Sequence, residues 1–191
     1  MLAAGAWLEY DARWLAAEEA DEALAALRSE LTWEQRAVVL FGRRVLQPRL
    51  IAWAGMLPYR YSGQTLEARA FTPTAKRLLE RVSLAADAPF NHVLVNRYRT
   101  GDDSMGLHAD DEPELGPDPL VATVSLGRAR RFVVKPRRPQ DHGRQDLDLG
   151  HGALLVMGGT CQRRYVHGVP RQPDVIGERI SLTFRHLLRP P

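Results

Sequence analysis

Apolar residues recur at three- and four-residue intervals in the stretch from Trp14 to Leu31, where Leu24 and Leu27 follow this spacing. Such a period is typical of an amphipathic helix. A second helix is predicted from about Thr74 to Ser83, because Thr72 can cap its first turn and its apolar and charged residues separate onto two faces. The first third of the chain is therefore predicted to contain two helices.

From residue 90 onward the pattern changes to short segments rich in β-branched and aromatic residues, separated by Gly, Pro and Asp. We predict strands over Asn91–Tyr98, Val121–Leu126, Arg131–Lys135, Ala153–Met157, Arg164–His167 and Ile180–His186. Two shorter strands, Ala37–Leu40 and Ile51–Trp53, come earlier, and the polar segment Pro136–Asp148 is predicted to be an exposed hairpin loop. Helices followed by a run of strands predict an α+β fold whose strands form a sandwich or barrel.

The length and composition narrow the class of protein. The 191 residues suit one domain, and 45% hydrophobic with 26% charged residues is ordinary for a globular protein. A net charge of +3 weakly favours an anionic partner. One cysteine, Cys161, excludes an intrachain disulfide and fits a reducing cytoplasm, and no apolar run is long enough to span a membrane. The first residues lack the basic leader of a signal peptide, so we expect a cytoplasmic protein. We also expect it to be a monomer.

Two histidines and an aspartate suggest a metal site. His108 and Asp110 are two residues apart in a stretch that can be extended, so both side chains can reach one ion, and His167 ends a later predicted strand. Two histidines and one carboxylate form the facial triad of non-haem iron(II) oxygenases, which leaves open positions for a 2-oxo acid and O₂. Zinc accepts similar ligands, and the alternative is that these are ordinary surface residues.

The last predicted strand supports an anionic ligand beside that metal. Alternation along Arg179–Arg185 places Arg179, Ser181, Thr183 and Arg185 on one face. If that face is buried, its two arginines need anions, and a dicarboxylate co-substrate supplies two. The alternative is an outward, solvated face.

Combined motifs give the chain a resemblance to a known family. They are Phe90–Tyr98, Met105–Gly116, Val124–Gly127, His151–Met157 and Arg179–Arg185. Through them the chain, from about Thr32 to Leu187, resembles the AlkB family of iron(II)- and 2-oxoglutarate-dependent dioxygenases, most closely its animal-type DNA-repair members. The resemblance implies one catalytic domain with a double-stranded β-helix (jelly-roll) core at 90–191. A nucleotide-recognition lid made of helices and hairpins would precede this core. Its parts would be an N-terminal helix at 1–31, followed by the lid proper and a supporting helix at 32–89.

The resemblance also implies roles for individual residues. Fe(II) would be held by His108, Asp110 and His167. The co-substrate 2-oxoglutarate would be held by Asn96, Tyr98, Arg179 and Arg185, with Ser181 and Thr183 beside them. Family members usually carry Asn where this chain has Ser181, so that contact is expected to be shorter or mediated by water. Trp is common where this chain has Tyr165, which is expected to remain a packing residue.

The substrate side of the implied site lies in the lid and after the metal aspartate. Phe41, in Leu40-Phe41-Gly42, matches a finger inserted into duplexes; the alternative is a core phenylalanine. Tyr61 would stack on an extruded base and Tyr59 would offer it a hydroxyl. The remaining substrate residues would be Arg49, Ser62, Asp111 and Glu112; the alternative for the two acidic residues is a solvated turn.

The implied reaction is oxidative dealkylation of bases such as 1-methyladenine and 3-methylcytosine in DNA. It consumes O₂ and 2-oxoglutarate and releases succinate, CO₂ and formaldehyde. These bases are cationic, so a neighbouring carboxylate favours them over undamaged bases. Activity on RNA, hydroxylation of a protein or small molecule, and a non-catalytic binding module remain as alternatives.

Overall fold

The computed structural model describes residues 2–40, 42–61 and 63–188. In chain order the strands are β1 Ala6–Asp11, β2 Ala37–Leu40, β3 Arg43–Leu46, β4 Leu50–Gly55, β5 Tyr59–Tyr61, β6 Gln64–Leu66, β7 His92–Tyr98, β8 Met105–His108, β9 Val121–Gly127, β10 Arg130–Pro136, β11 Gln145–Leu149, β12 Ala153–Gly159, β13 Tyr165–Val169 and β14 Arg179–Arg185. The helices are α1 Ala17–Glu30, α2 Pro73–Ala85 and the single turn α3 Cys161–Arg164, with a 3-10 turn at Pro113–Leu115.

Two antiparallel sheets form the core. The larger has six strands in the order β1-β12-β9-β14-β7-β4, and the smaller has four in the order β11-β10-β13-β8. Side chains of both sheets meet in one buried cluster, in which Tyr98 and Leu155 of the larger sheet pack with Phe132 and Val169 of the smaller. This arrangement confirms the predicted α+β class and jelly-roll core. The larger sheet also includes β1 and β4, which precede the predicted core segment 90–191.

The predicted strands are present, but several others were not predicted. Strands β1, β3, β6 and β8 lack a clear alternation of apolar and polar residues, and β5 is only three residues long. The prediction of a loop over Pro136–Asp148 is wrong for residues 145–148, which belong to β11 and pair with β10. The strand predicted from Arg164 starts one residue later, because residues 161–164 form a helical turn.

Both long helices cover the outer face of the larger sheet. Helix α2 begins where predicted, with the Thr72 hydroxyl accepting a hydrogen bond from the Ala75 amide at 3.4 Å. Leu27 of α1 and Leu78 of α2 pack with Val95, which faces away from the smaller sheet. The helical part of the predicted lid is therefore not confirmed, because α1 and α2 lie behind the sheet. No helix in residues 2–40, 42–61 and 63–188 is long and apolar enough to cross a membrane.

Two small hairpins lie outside the sheets. In β2–β3, Leu40 is opposite Arg43, and Gly42 before Arg43 has a φ of 76° that suits a tight turn. In β5–β6, Tyr61 is opposite Gln64. The Arg36 guanidinium donates to Gln64 Oε1 at 3.3 Å and so connects the two hairpins. The predicted substrate residues Phe41 and Ser62 lie outside the described residues.

Candidate active site

The predicted metal ligands converge at the end of two paired strands of the smaller sheet. His108 ends β8 opposite His167 of β13, and Asp110 follows two residues after His108. Their ligand atoms all lie within 4.8 Å of one another. The two imidazole rings are 4.4 Å apart, and His167 Nε2 lies 3.7 Å from Asp110 Oδ2. This geometry fits a single metal ion with two histidines and one carboxylate.

Neighbouring groups orient each ligand. His108 Nδ1 lies 3.0 Å from the Gly106 carbonyl oxygen, and a donor at that nitrogen leaves Nε2 free for a metal. The Asp110 amide donates to Gln162 Oε1 at 3.0 Å, and the Arg185 guanidinium donates to Asp110 Oδ1 at 2.6 Å. Such outer contacts fix the orientation of metal ligands.

Burial and charge keep the cluster in the protonation state that a cation requires. Burial lowers the pKa of His167 to about 3, and it also lowers the pKa of His108. Burial alone would raise the pKa of Asp110, but Arg185 and the two histidines outweigh it and hold that pKa at about 2. At neutral pH both imidazoles are thus neutral and the carboxylate is ionised, which suits metal binding.

We call the side chains of His108, Asp110 and His167 the metal cluster. A polar pocket extends from them into the space between the sheets. It is lined by five predicted co-substrate residues: Asn96, Tyr98, Ser181, Thr183 and Arg185. They come from the adjacent strands β7 and β14. The whole of β14 is buried, so the alternative of a solvated outer face does not hold.

The arginines of β14 have donor groups that the protein leaves unused. Arg179 is fully buried; its Nε donates to Ser125 Oγ at 2.8 Å, but neither Nη atom has a partner in the described part of the chain. Arg185 Nε and Nη1 are likewise unpaired there. Burial lowers the pKa of Arg179 to about 10. A buried guanidinium without a partner is costly, so these donors indicate a site for an anionic ligand.

A cleft of about 350 Å³ opens on the other side of the metal cluster. Its lining includes Tyr61, His108 and Glu112, together with apolar side chains such as Leu46 and Leu107. Burial raises the pKa of the Glu112 carboxyl, and its Oε2 has no partner within the described ranges. The cleft therefore combines an aromatic ring, apolar walls and one carboxyl beside the metal cluster.

Three predicted substrate residues lie elsewhere than expected. Tyr59 is completely buried and packs edge-on against His92 at 4.9 Å, so it does not line the cleft. Asp111 is exposed and forms an ion pair with Arg137 at 2.8 Å. Arg49, predicted to contact a nucleic-acid strand, lines the cleft, but its side chain is buried and its guanidinium bonds to three groups inside the protein.

Several supporting residues were not predicted. Ser125 stands between Val124 and Leu126 in a buried strand, so its isolated hydroxyl was a usable signal. Gln162 gave no such signal, because only the turn of α3 brings it to the Asp110 amide.

Comparisons with known proteins agree with this geometry. Residues 8–185 match the family profile described as the 2OG-Fe(II) oxygenase superfamily. The chain is 36% identical over 182 residues to the Alpha-ketoglutarate-dependent dioxygenase alkB homolog 3 of Homo sapiens, covering 91% of this chain and 64% of that protein. It is 37% identical over 183 residues to the DNA oxidative demethylase ALKBH2 of Mus musculus, covering 89% and 76% respectively.

The fold has a counterpart among solved structures. The structure of OsALKBH1 superposes with a TM-score of 0.67 over 97% of this chain and 100% of that chain, at 17% identity, a similarity of fold. The chain spans about 64% of the length of the human alkB homolog 3. The family match starts at residue 8, well before the boundary predicted near Thr32, so it includes most of β1, which pairs with β12 in the larger sheet.

Proposed function

Because the chain belongs to the 2OG-Fe(II) oxygenase superfamily, and within it to the AlkB family, we propose that it oxidatively removes alkyl groups from N-alkylated bases of nucleic acid. One observation carries the proposal. Arg185 and Arg179 are buried on one strand with unused donors, and Arg185 bonds to the aspartate of a cluster of two histidines and one aspartate. A metal site next to a site for a dicarboxylate is the combination that this reaction requires.

The residues present fit the metal and the co-substrate. His108, Asp110 and His167 would hold Fe(II), since two neutral imidazoles and one ionised carboxylate match its preferred donors. Arg179 would pair with one carboxylate of 2-oxoglutarate through its two unused Nη atoms. Asn96, Tyr98, Ser181 and Thr183 would supply the polar walls of that site.

When Fe(II) is bound, it would supply the oxidation of the N-alkyl carbon by O₂, and 2-oxoglutarate would be converted to succinate and CO₂. The hydroxylated alkyl group then leaves the base nitrogen as an aldehyde. The protein's part is orientation: Gln162 and Arg185 hold Asp110 in place, and Phe132 stacks on His167 at 5.3 Å. Burial of Asp110 and His167 limits the access of bulk water to the site that the triad would form.

The cleft favours cationic, flat substrates. Tyr61 offers a ring for stacking, and Glu112 is the carboxyl of the cleft beside His108. A cationic base such as 1-methyladenine or 3-methylcytosine would favour the ionised form of Glu112, and the charge-assisted contact would favour these bases over neutral ones. We therefore propose these two bases as substrates.

The hairpin beside the cleft supports a polymeric nucleic-acid partner. Arg43 and Arg44 of β3 are exposed, and Val45 and Leu46 of that strand line the cleft. Exposed cations suit phosphates, and an apolar side chain at a turn can occupy the place of an extruded base. We propose DNA as the substrate polymer, with the protein acting as one catalytic domain and a monomer in the cytoplasm.

The test is formaldehyde release from matched oligonucleotides. The protein, supplied with Fe(II) and 2-oxoglutarate, is given DNA and RNA of one sequence carrying a single 1-methyladenine or none. We expect formaldehyde in proportion to the methylated base, and faster release from DNA. Release from RNA alone would overturn the choice of polymer. No release from any oligonucleotide, with uncoupled succinate production intact, would overturn the nucleic-acid substrate and favour a protein or small molecule.

A further inference from the structure

Arg49 lies between the cleft and the co-substrate pocket and bonds to both. Its Nε donates to Asn96 Oδ1 at 2.7 Å, and its Nη2 donates to the Tyr61 hydroxyl at 2.8 Å. Asn96 lines the co-substrate pocket, whereas Tyr61 lines the cleft. Nη1 adds a longer contact of 3.3 Å to the Ser104 carbonyl, immediately before the strand that carries His108. One buried guanidinium thus contacts three parts of the site.

The chemistry of the arginine fixes the direction of both neighbouring polar groups. A guanidinium has only donors, so Asn96 must turn its carbonyl oxygen toward Arg49 and keep its amide nitrogen for the pocket. The Tyr61 hydroxyl oxygen accepts from Arg49, so its own proton remains available for another acceptor. Both residues are therefore presented to their ligands as hydrogen-bond donors.

We propose that Arg49 is a positioning residue that orients Asn96 toward 2-oxoglutarate and Tyr61 toward the base, so that one side chain prepares both binding sites. The part concerning the base rests on the proposed function, whereas the part concerning Asn96 rests on the co-substrate pocket alone. Lysine does not replace arginine here, because its single ammonium lacks the planar fork that reaches two acceptors at once.

The first experiment compares Arg49→Lys with a matched control, Arg36→Lys. Arg36 also bonds to two side chains, Glu34 and Gln64, but it contacts neither Asn96 nor Tyr61. Calorimetry with the redox-inactive ion Mn(II) measures the Kd of 2-oxoglutarate, and fluorescence anisotropy measures the Kd of a methylated oligonucleotide. We expect Arg49→Lys to raise the Kd of each ligand roughly tenfold, which corresponds to the loss of one well-oriented hydrogen bond at each site. We expect Arg36→Lys to leave the Kd of 2-oxoglutarate within about twofold of the wild-type value.

A second variant tests the direction of the Asn96 amide without removing Arg49. Asn96→Asp keeps an acceptor for the Arg49 Nε but replaces the donor that faces the pocket with a second acceptor. We expect its 2-oxoglutarate affinity to fall at least roughly tenfold while the thermal midpoint stays near that of the wild type. A merely structural role of Arg49 predicts the opposite pattern, in which the ion pair at position 96 preserves 2-oxoglutarate binding.

The outcomes separate this inference from the proposed function. Unchanged 2-oxoglutarate affinity in Arg49→Lys or in Asn96→Asp overturns the positioning role. If the wild type binds the oligonucleotide but Arg49→Lys weakens the binding of 2-oxoglutarate and not that of the oligonucleotide, the claim that Arg49 prepares both sites is overturned. If the wild-type protein binds 2-oxoglutarate but no alkylated oligonucleotide, the proposed substrate is overturned instead. A loss of 2-oxoglutarate affinity in both variants then still supports the part of the proposal that concerns Asn96.

Discussion

The guanidinium of Arg185 lies 2.6 Å from Oδ1 of Asp110, and both side chains are 1% exposed. The strand β14 therefore does more than supply a cation for a co-substrate. It holds the carboxylate of the metal cluster in its ionised form and occupies one oxygen, which leaves Oδ2 for an ion. The metal cluster and the pocket behind it are thus connected through one ion pair.

Single alanine substitutions of His108, Asp110 and His167 are each expected to abolish succinate production. A facial triad has no spare ligand, so losing one removes either the ion or its open geometry. The binding of Mn(II), followed by calorimetry, should weaken by at least about 100-fold. His142→Ala, an exposed histidine outside the cluster, is the control and should behave as wild type. Near-normal turnover of any triad variant would show that its side chain is not a ligand.

Arg179→Met is expected to weaken 2-oxoglutarate binding by about 100-fold, because two charge-assisted hydrogen bonds are lost. The same change removes an uncompensated buried charge, so the ligand-free variant should unfold at a temperature no lower than the wild type. Arg97→Met, on the outer side of β7 and paired with Glu178 at 2.8 Å, is the matched control. Equal 2-oxoglutarate affinity in the two variants would contradict the assignment of Arg179.

Glu112→Gln is expected to change substrate choice more than turnover. The amide keeps the shape of the side chain but loses the charge that favours a cationic base. The kcat/KM for 1-methyladenine should fall at least roughly tenfold, whereas that for a neutral lesion such as 3-methylthymine should change little. Measurement of both lesions in one oligonucleotide sequence gives the ratio directly, and an equal loss on both would argue against the charge effect.

Phe41→Ala is expected to slow repair in duplex DNA much more than repair in a single strand. Opening a stacked duplex costs a few kcal/mol, and a side chain that fills the gap offsets part of it. A core phenylalanine would instead cost roughly 3–5 kcal/mol of stability and harm both activities equally. Rates on the two substrates, together with a denaturation midpoint, distinguish these roles. Leu84→Ala, an exposed position on α2, is the control.

Asp103→Asn is expected to destabilise the protein at pH 7 and to make little difference in strong acid. Burial would raise the pKa of Asp103, but hydrogen bonds from the Arg99 side chain and amide hold it below 3.8. The stabilisation is therefore complete well above pH 3.8 and is lost as the pH falls through the lowered pKa. Denaturation midpoints from pH 7 downward should converge for variant and wild type. Asp102→Asn, which removes an exposed ion pair with Arg171, is the control and should change the stability at pH 7 little.

The sequence predicted the parts of the site that lie on one strand or in one motif. Alternation along β14 placed its two arginines on one face, both arginines are buried, and Arg185 of that face lines the co-substrate pocket. The spacing of His108 and Asp110 likewise predicted a shared ion, and their ligand atoms do meet. Regular alternation is a local property, so it can be recognised in a single segment.

What the sequence did not predict depends on distant segments meeting. Arg49 was assigned a contact with the nucleic acid, because nothing near it in the chain shows that Asn96 and Tyr61 will offer it two acceptors. The edge strand β1 was missed for the same reason: its exposed Trp7 and Tyr10 interrupt the alternation, and only pairing with β12 orders it. Position in the tertiary structure outweighed local pattern at both places.

The strand order has a consequence for how this protein is made. In the larger sheet, β14 lies between β9 and β7, so the central strand is the last of the described strands to leave the ribosome. Until residues 179–185 are synthesised, two apolar strands have no neighbour on their inner edges and present unpaired backbone amides and carbonyls. The nascent chain can therefore complete this sheet only after translation has passed Arg185, and until then these two inner edges are open to pairing with other strands.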